Sequence, residues 1–169
     1  LNMAQDTSDG YVIDTSALID LWRHFSRDSD VFEEIWKAVE ELVKEGRLIA
    51  PKEVLKELKK GGDELYDWVR EQNISVPLDA DQITHIKAIL RKFPNFVKTK
   101  KTSPPADADS IVIALAMSKG SDWAVIANET TRGQKLKIPY VCQQFNVKPL
   151  NLTGFFSEMG LKFQRITNP

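Results

Sequence analysis

Acidic residues stand where a parallel sheet would present them to a common crevice. Asp14 directly follows the apolar run Tyr11-Val12-Ile13, and Asn128 and Glu129 directly follow a second run ending at Ala127. Asp109 opens the apolar segment that continues through Ile111 and Met117, and Asp107 sits two residues before it. Taken singly, Asp14 and Asp109 are also what helix caps look like, because a carboxylate there meets orphan backbone N–H groups and the positive end of the helix dipole. Taken together they ask for more, since converging carboxylates repel one another and are commonly relieved by a cation. A further acid comes from a predicted helix over 51–60, whose apolar face is Val54, Leu55 and Leu58. Glu57 borders that face and is expected to reach a cleft, whereas Glu53 is expected further round, toward solvent, as a first-turn dipole partner. A solvated helix charge is the plain alternative for Glu57. Oxygen ligands without a cysteine cluster or paired histidines suit Mg2+ or Mn2+, not structural zinc. His24 and His85 fall on separate predicted helices and are expected to be surface or boundary residues.

Those carboxylates need a frame. Short apolar runs at 11–13, 48–50, 123–127 and 147–150 predict strands, and 74–76 reads as a strand or a turn. Helical periodicity predicts helices over 15–25, capped by Thr15 or Ser16, and over 30–45, closed by Gly46. Further helices are expected over 51–60 with Pro51 in the first turn, 63–71, 79–93, 138–146 and 152–159. The segment 108–119 is apolar almost all round, which predicts a buried helix. Strands alternating with helices imply an α/β fold with a mainly parallel sheet covered on both faces. In such sheets ligands bind outside the carboxyl ends of the strands, where Asp14, Asn128 and Glu129 are expected.

A chain of 169 residues fits a single domain with a core of its own. Residues 1–10 are expected to be disordered or left over from expression, residues 11–160 to form the domain, and 161–169 a tail. One cysteine, Cys142, excludes a disulfide framework and fits a reducing, cytoplasmic setting. The longest apolar run falls short of a membrane span. A net charge of −1 argues against a generic nucleic-acid coater and leaves room for a local basic patch. Arg91, Lys92, Lys98, Lys100 and Lys101 form such a stretch with no acid among them. It reads either as a solvated loop or as a phosphate-contacting arm.

The motifs resemble a known family. Tyr11-Val12-Ile13-Asp14-Thr15-Ser16-Ala17-Leu18-Ile19 is similar to the opening of PIN-domain nucleases, a strand followed by Asp-Thr-Ser or Asp-Thr-Asn. Ala108-Asp109-Ser110-Ile111-Val112-Ile113-Ala114 resembles the family's Ala-Asp-x-x-x-Ile-Ala helix, and Val125-Ile126-Ala127-Asn128-Glu129 its Val-Val-Thr-Asn-Asp segment. Pro51-Lys52-Glu53-Val54-Leu55-Lys56-Glu57-Leu58 is similar to the segment carrying the second acid, and the match falls on Glu57. Lys137-Ile138-Pro139-Tyr140-Val141-Cys142 resembles a PIN-like subfamily related to VapC-type toxins. In order and spacing the resemblance covers 11–160.

The resemblance implies a three-layer α/β/α sandwich, frequent homodimers, and endonucleolytic RNA cleavage with Mg2+ or Mn2+. For VapC-type members it implies a small antitoxin partner. It assigns catalysis to Asp14, Glu57, Asp109 and Glu129, with Asp14, Asp109 and Glu129 as metal ligands. Ser16, Asn128 and Asp107 would support them, and water activated by the metal would hydrolyse the phosphodiester. Two departures, Glu129 for the usual Asp and Ala127 for a frequent Thr, leave a degenerate binding module as an alternative. A deoxyribonuclease is another, since nothing in the sequence reads a 2′-OH. A haloacid-dehalogenase phosphatase would need a second Asp at the position of Ser16. A receiver-like domain would need a late Lys after a strand, which Asn128-Glu129 does not supply.

Overall fold

The computed structural model describes residues 7–61, 63–96, 107–129 and 136–163. Five strands, β1 (Gly10–Ile13), β2 (Leu48–Pro51), β3 (Ser75–Val76), β4 (Trp123–Ile126) and β5 (Lys148–Leu150), form one sheet in the order β3-β2-β1-β4-β5. Every pairing is parallel, with Tyr11 beside Leu48 on one side and beside Ala124 on the other. The helices are α1 (Thr15–His24), α2 (Glu33–Lys44), α3 (Lys52–Lys59), α4 (Glu64–Gln72), α5 (Ala80–Lys92), α6 (Ala108–Lys119), α7 (Ile138–Gln144) and α8 (Leu152–Glu158). The result is the expected three-layer α/β/α sandwich, with a sheet that is parallel throughout.

The layers follow from the composition of the strands. Tyr11, Val12 and Ile13 are all buried, as a central parallel strand covered on both faces requires. On one face lies α6, against β1, β2 and β4, with α5 and α7 packed on it. Its residues Ile111 to Ala116 are buried all round, so its register is set by shape and not by amphipathicity. Toward the other face Tyr11 meets Phe155 of α8 edge-on at 5.0 Å, and Phe25 at the end of α1 meets Phe156 at 5.0 Å. Trp22, Trp36 and Trp68 pack together there as core, with Arg27 over the rings of Trp36 and Trp68.

Some local expectations change. The N-cap of α1 is Asp14, whose side chain accepts from the Ser16 N–H, in place of Thr15 or Ser16. The helix expected from residue 30 opens as a 3-10 turn, Asp30–Phe32, before α2 begins. Pro51 ends β2 and caps α3 from outside the first turn. The segment expected to be disordered up to residue 10 is tied down over its last residues. Ser8 N–H donates to Glu158 Oε2 at 3.0 Å, Asp9 N–H donates to the Asp122 carbonyl at 2.7 Å, and Gly10 begins β1.

Candidate active site

The carboxyl ends of β1 and β4 adjoin, and connections leave them in opposite directions, so a crevice opens between them. Asp14 sits at the end of β1, its backbone N–H bound to the Ile126 carbonyl at 2.9 Å. That bond carries the ladder one residue past β1 and fixes Asp14 against the end of β4. Asp14 is 4% exposed. Its carboxyl is pushed up to about 6, chiefly by burial; the hydrogen bond from Ser16 opposes this and repulsion from Asp109 adds to it.

Asp109 lies in the first turn of α6, half-buried, and Asp107 is that helix's N-cap by backbone geometry. The Asp107 side chain makes no capping bond; its carbonyl accepts the Ser110 hydroxyl at 2.9 Å instead. Ala108 is buried under the same turn, which holds Asp109 beside the Asp14 carboxylate.

Glu57 and Glu53 exchange the burial expected of them. Glu57 is exposed, while Glu53 is half-buried, with one oxygen paired to Lys56 at 3.2 Å and the other shut off from solvent without a hydrogen-bond partner among the described residues. The apolar stripe of α3 is narrow, Val54 and Leu58, so the first-turn residue is drawn toward the sheet and Glu57 stands at the rim. Glu57 is tied to the start of α1, not to Asp14 itself. It accepts the Thr15 hydroxyl at 2.5 Å, next in sequence to Asp14, and lines a cavity of about 130 Å3 with Thr15, Ile19, Trp22 and Arg23.

Glu129 is half-buried and accepts the Ile138 N–H at 3.1 Å, so its carboxylate caps the first turn of α7. It also lines a cavity of about 260 Å3 with Ala127, Pro139, Pro149, Leu150 and Asn151. The extra methylene relative to Asp is what lets it span from the end of β4 to α7.

Around Asp14 the hydrogen-bond directions are determined. The Ser16 hydroxyl donates to Asp14 Oδ2 at 2.8 Å and accepts the Asn128 N–H at 3.3 Å. Asn128 Nδ2 in turn donates to Asp20 Oδ2. Ser16 and Asn128 thus hold positions beside the acids. Asp20 is a residue the sequence reading missed; its only trace there was its place one turn after Ser16 on α1. His24 lies 3.8 Å from Asp20 and His85 3.8 Å from Asp81, both as helix-surface pairs.

The residues fit a divalent cation in part. Asp14, buried, and Asp109, half-buried and near enough to raise the Asp14 carboxyl by repulsion, are the carboxylate oxygens that Mg2+ and Mn2+ take. Among the described residues, no group of three or more acidic, histidine or cysteine side chains is drawn together tightly enough to hold an ion. Glu57 and Glu129 are engaged with Thr15 and α7.

Arg91 and Lys92 are exposed at the end of α5. Lys92 is in use locally, donating to the Gln144 carbonyl at 3.4 Å and lying over the rings of Phe93 and Phe145. Lys98, Lys100 and Lys101 lie outside the described residues. No helix among the described residues is long and apolar enough to cross a membrane.

The chain has a PIN-like, VapC-type fold, with acids following the central strands β1 and β4 of its all-parallel sheet. Residues 11–163 match the model of a family described as a domain of unknown function (DUF4411), and the chain belongs to that family. A solved structure of DNA-bound VapBC from Salmonella typhimurium is similar at a TM-score of 0.50 and 15% identity, covering 84% of this chain and 97% of that one. One of VapBC2 from Rickettsia felis, bound to a promoter DNA fragment, aligns at a TM-score of 0.48 and 12% identity, covering 83% and 97%. No curated protein matches the sequence.

Proposed function

We propose that the chain is a divalent-metal-dependent endoribonuclease, the toxin of a toxin–antitoxin pair, acting through a single PIN-like domain over 11–160. The observation that carries the reading is Asp14, buried at the end of the central strand with its acidity suppressed by burial and by Asp109. Asp14 and Asp109 would hold Mg2+ or Mn2+, with Glu57 and Glu129 closing on it by leaving Thr15 and α7. A divalent ion so held supplies acidification of the attacking water and neutralisation of charge developing on the phosphate. The chain's own contribution is placement. Ser16 fixes one oxygen of Asp14, α6 carries Asp109, and burial at the end of β1 shields Asp14 from solvent. The VapBC assembly named for the similar structure supports a small antitoxin as partner, and homodimerisation through the same fold is part of this reading.

Cleavage of a panel of structured RNAs and single-stranded DNAs, with Mn2+, with Mg2+ and with EDTA, tests it. Cutting that needs metal and is lost in Asp14→Asn and Asp109→Asn is the expected result, and the panel decides between ribonuclease and deoxyribonuclease. A specific observation favours a second reading: Glu129 is committed to α7 and, among the described residues, no acidic triad is drawn together. A well-folded protein that binds Mn2+ and cuts nothing would make the chain a catalytically degenerate interaction module.

A further inference from the structure

Helix α1 grips the end of β4 at two points, one turn apart on the same face. Ser16 takes the Asn128 backbone N–H, and Asp20 takes the Asn128 side-chain amide. The first grip leads directly to Asp14: the serine has one hydrogen, which goes to Asp14 Oδ2, so its lone pair is what receives Asn128. The second grip selects an orientation. An ionised Asp20 only accepts, so it demands the NH2 end of Asn128 and turns the amide carbonyl away from itself. Asp20 is half-buried on the second turn of α1, and its other partner is the exposed His24 at 3.8 Å.

Resting on the metal reading above, we propose that Asp20 is a positioning residue of the site. Through Asn128 it sets the residues after β4 against Asp14, and it fixes which face of the Asn128 amide is presented beside the acids. It acts through Asn128 and touches neither the metal nor the substrate. Groups that orient ligand-bearing residues typically influence metal affinity by about 10- to 100-fold.

Calorimetric titration with Mn2+ tests this on the wild-type chain, Asp14→Asn, Asp20→Ala, Asp20→Asn, Asn128→Ala and the Asp20→Ala/Asn128→Ala double variant. Thermal unfolding in EDTA accompanies each. The expected result is a loss of about ten-fold or more in Mn2+ affinity for Asp20→Ala and for Asn128→Ala. The double variant should be no worse than either, because the two residues act as one unit. Asp20→Asn should recover most of the affinity, since its amide oxygen accepts the same N–H. A residue that merely supports α1 would lower the melting temperature and leave Mn2+ affinity untouched. Wild-type affinity in Asp20→Ala beside lost binding in Asp14→Asn overturns the inference alone, as do additive losses in the double variant. Absence of Mn2+ binding by the wild-type chain itself overturns the metal reading and this inference with it.

Discussion

Asp14 carries a stability cost that its chemistry explains. Its folded-state carboxyl titrates at about 6, well above the ordinary value of 3.8, so the folded chain holds that proton more tightly than the unfolded one. Between those values the folded state binds more protons, and stability therefore falls as pH rises through the window and stays low above it. At 4% exposure, solvent screening is slight, and the loss is on the order of 2–3 kcal/mol. Asp14→Asn removes the titration and keeps a good N-cap. Urea unfolding in EDTA should show the variant more stable than wild type at pH 7.5 and matched to it near pH 4. A variant no more stable at pH 7.5 would mean that Asp14 is not strained. Mn2+ should raise the melting temperature of the wild type at pH 7.5 and leave the variant's unchanged. At this scale Asp14 and Asp109 were legible because a carboxylate directly after an apolar run, or directly before one, is placed by the backbone itself. Glu53 and Glu57 were misjudged for burial because two apolar residues on a two-turn helix define its inward direction only loosely. Asp20 was illegible, since its partner lies 108 residues away and the contact exists only once α1 and β4 are assembled.

Elements impose their own limits on the site. Gly10 pairs with Trp123 across β1 and β4, and a Cβ at Gly10 would come within 2.5 Å of the Trp123 ring. The indole therefore lies over the strand in the space a side chain would occupy. Gly10→Ala should cost about 1–3 kcal/mol in urea unfolding, with part of the loss recovered by Trp123→Leu. A neutral Gly10→Ala would mean that the ring moves aside freely. Glu129 poses a sharper question, because it caps α7 and is also a candidate ligand. Glu129→Ala should cost about 1 kcal/mol through the lost cap, while Glu129→Gln keeps an oxygen for the Ile138 N–H and should preserve stability. Reduced Mn2+ affinity in Glu129→Gln at unchanged stability would separate the ligand role from the cap, and unchanged affinity would confine Glu129 to capping. The helices and strands themselves were legible in kind from periodicity. Their ends were not, because caps such as Asp14 and Pro51 depend on backbone angles that residue type only biases.

For the whole molecule, alternation of strand and helix announced a parallel sheet, but the order β3-β2-β1-β4-β5 arises from pairings between distant segments that no local pattern records. That order is what brings the ends of β1 and β4 together and sets Asp14 against the end of β4. It also sets a problem for any nucleic-acid substrate. The chain carries a net charge of −1, and its crevice is acidic, so no overall field draws a phosphate backbone to it. Attraction must come from a local basic segment, and Lys92 is already occupied between α5 and α7. The segment the sequence offers for this is Arg91 with Lys98, Lys100 and Lys101. If those three lysines contact phosphates, replacing all of them by alanine removes about 0.7 from the logarithmic salt slope of single-stranded RNA binding for each contact, about 2 in all. Fluorescence anisotropy of a labelled RNA, titrated in EDTA across a series of salt concentrations so that no cleavage intrudes, reads that slope directly. A flatter slope with weaker binding at low salt would place the arm on the substrate. An unchanged slope would remove the three lysines from the substrate contact.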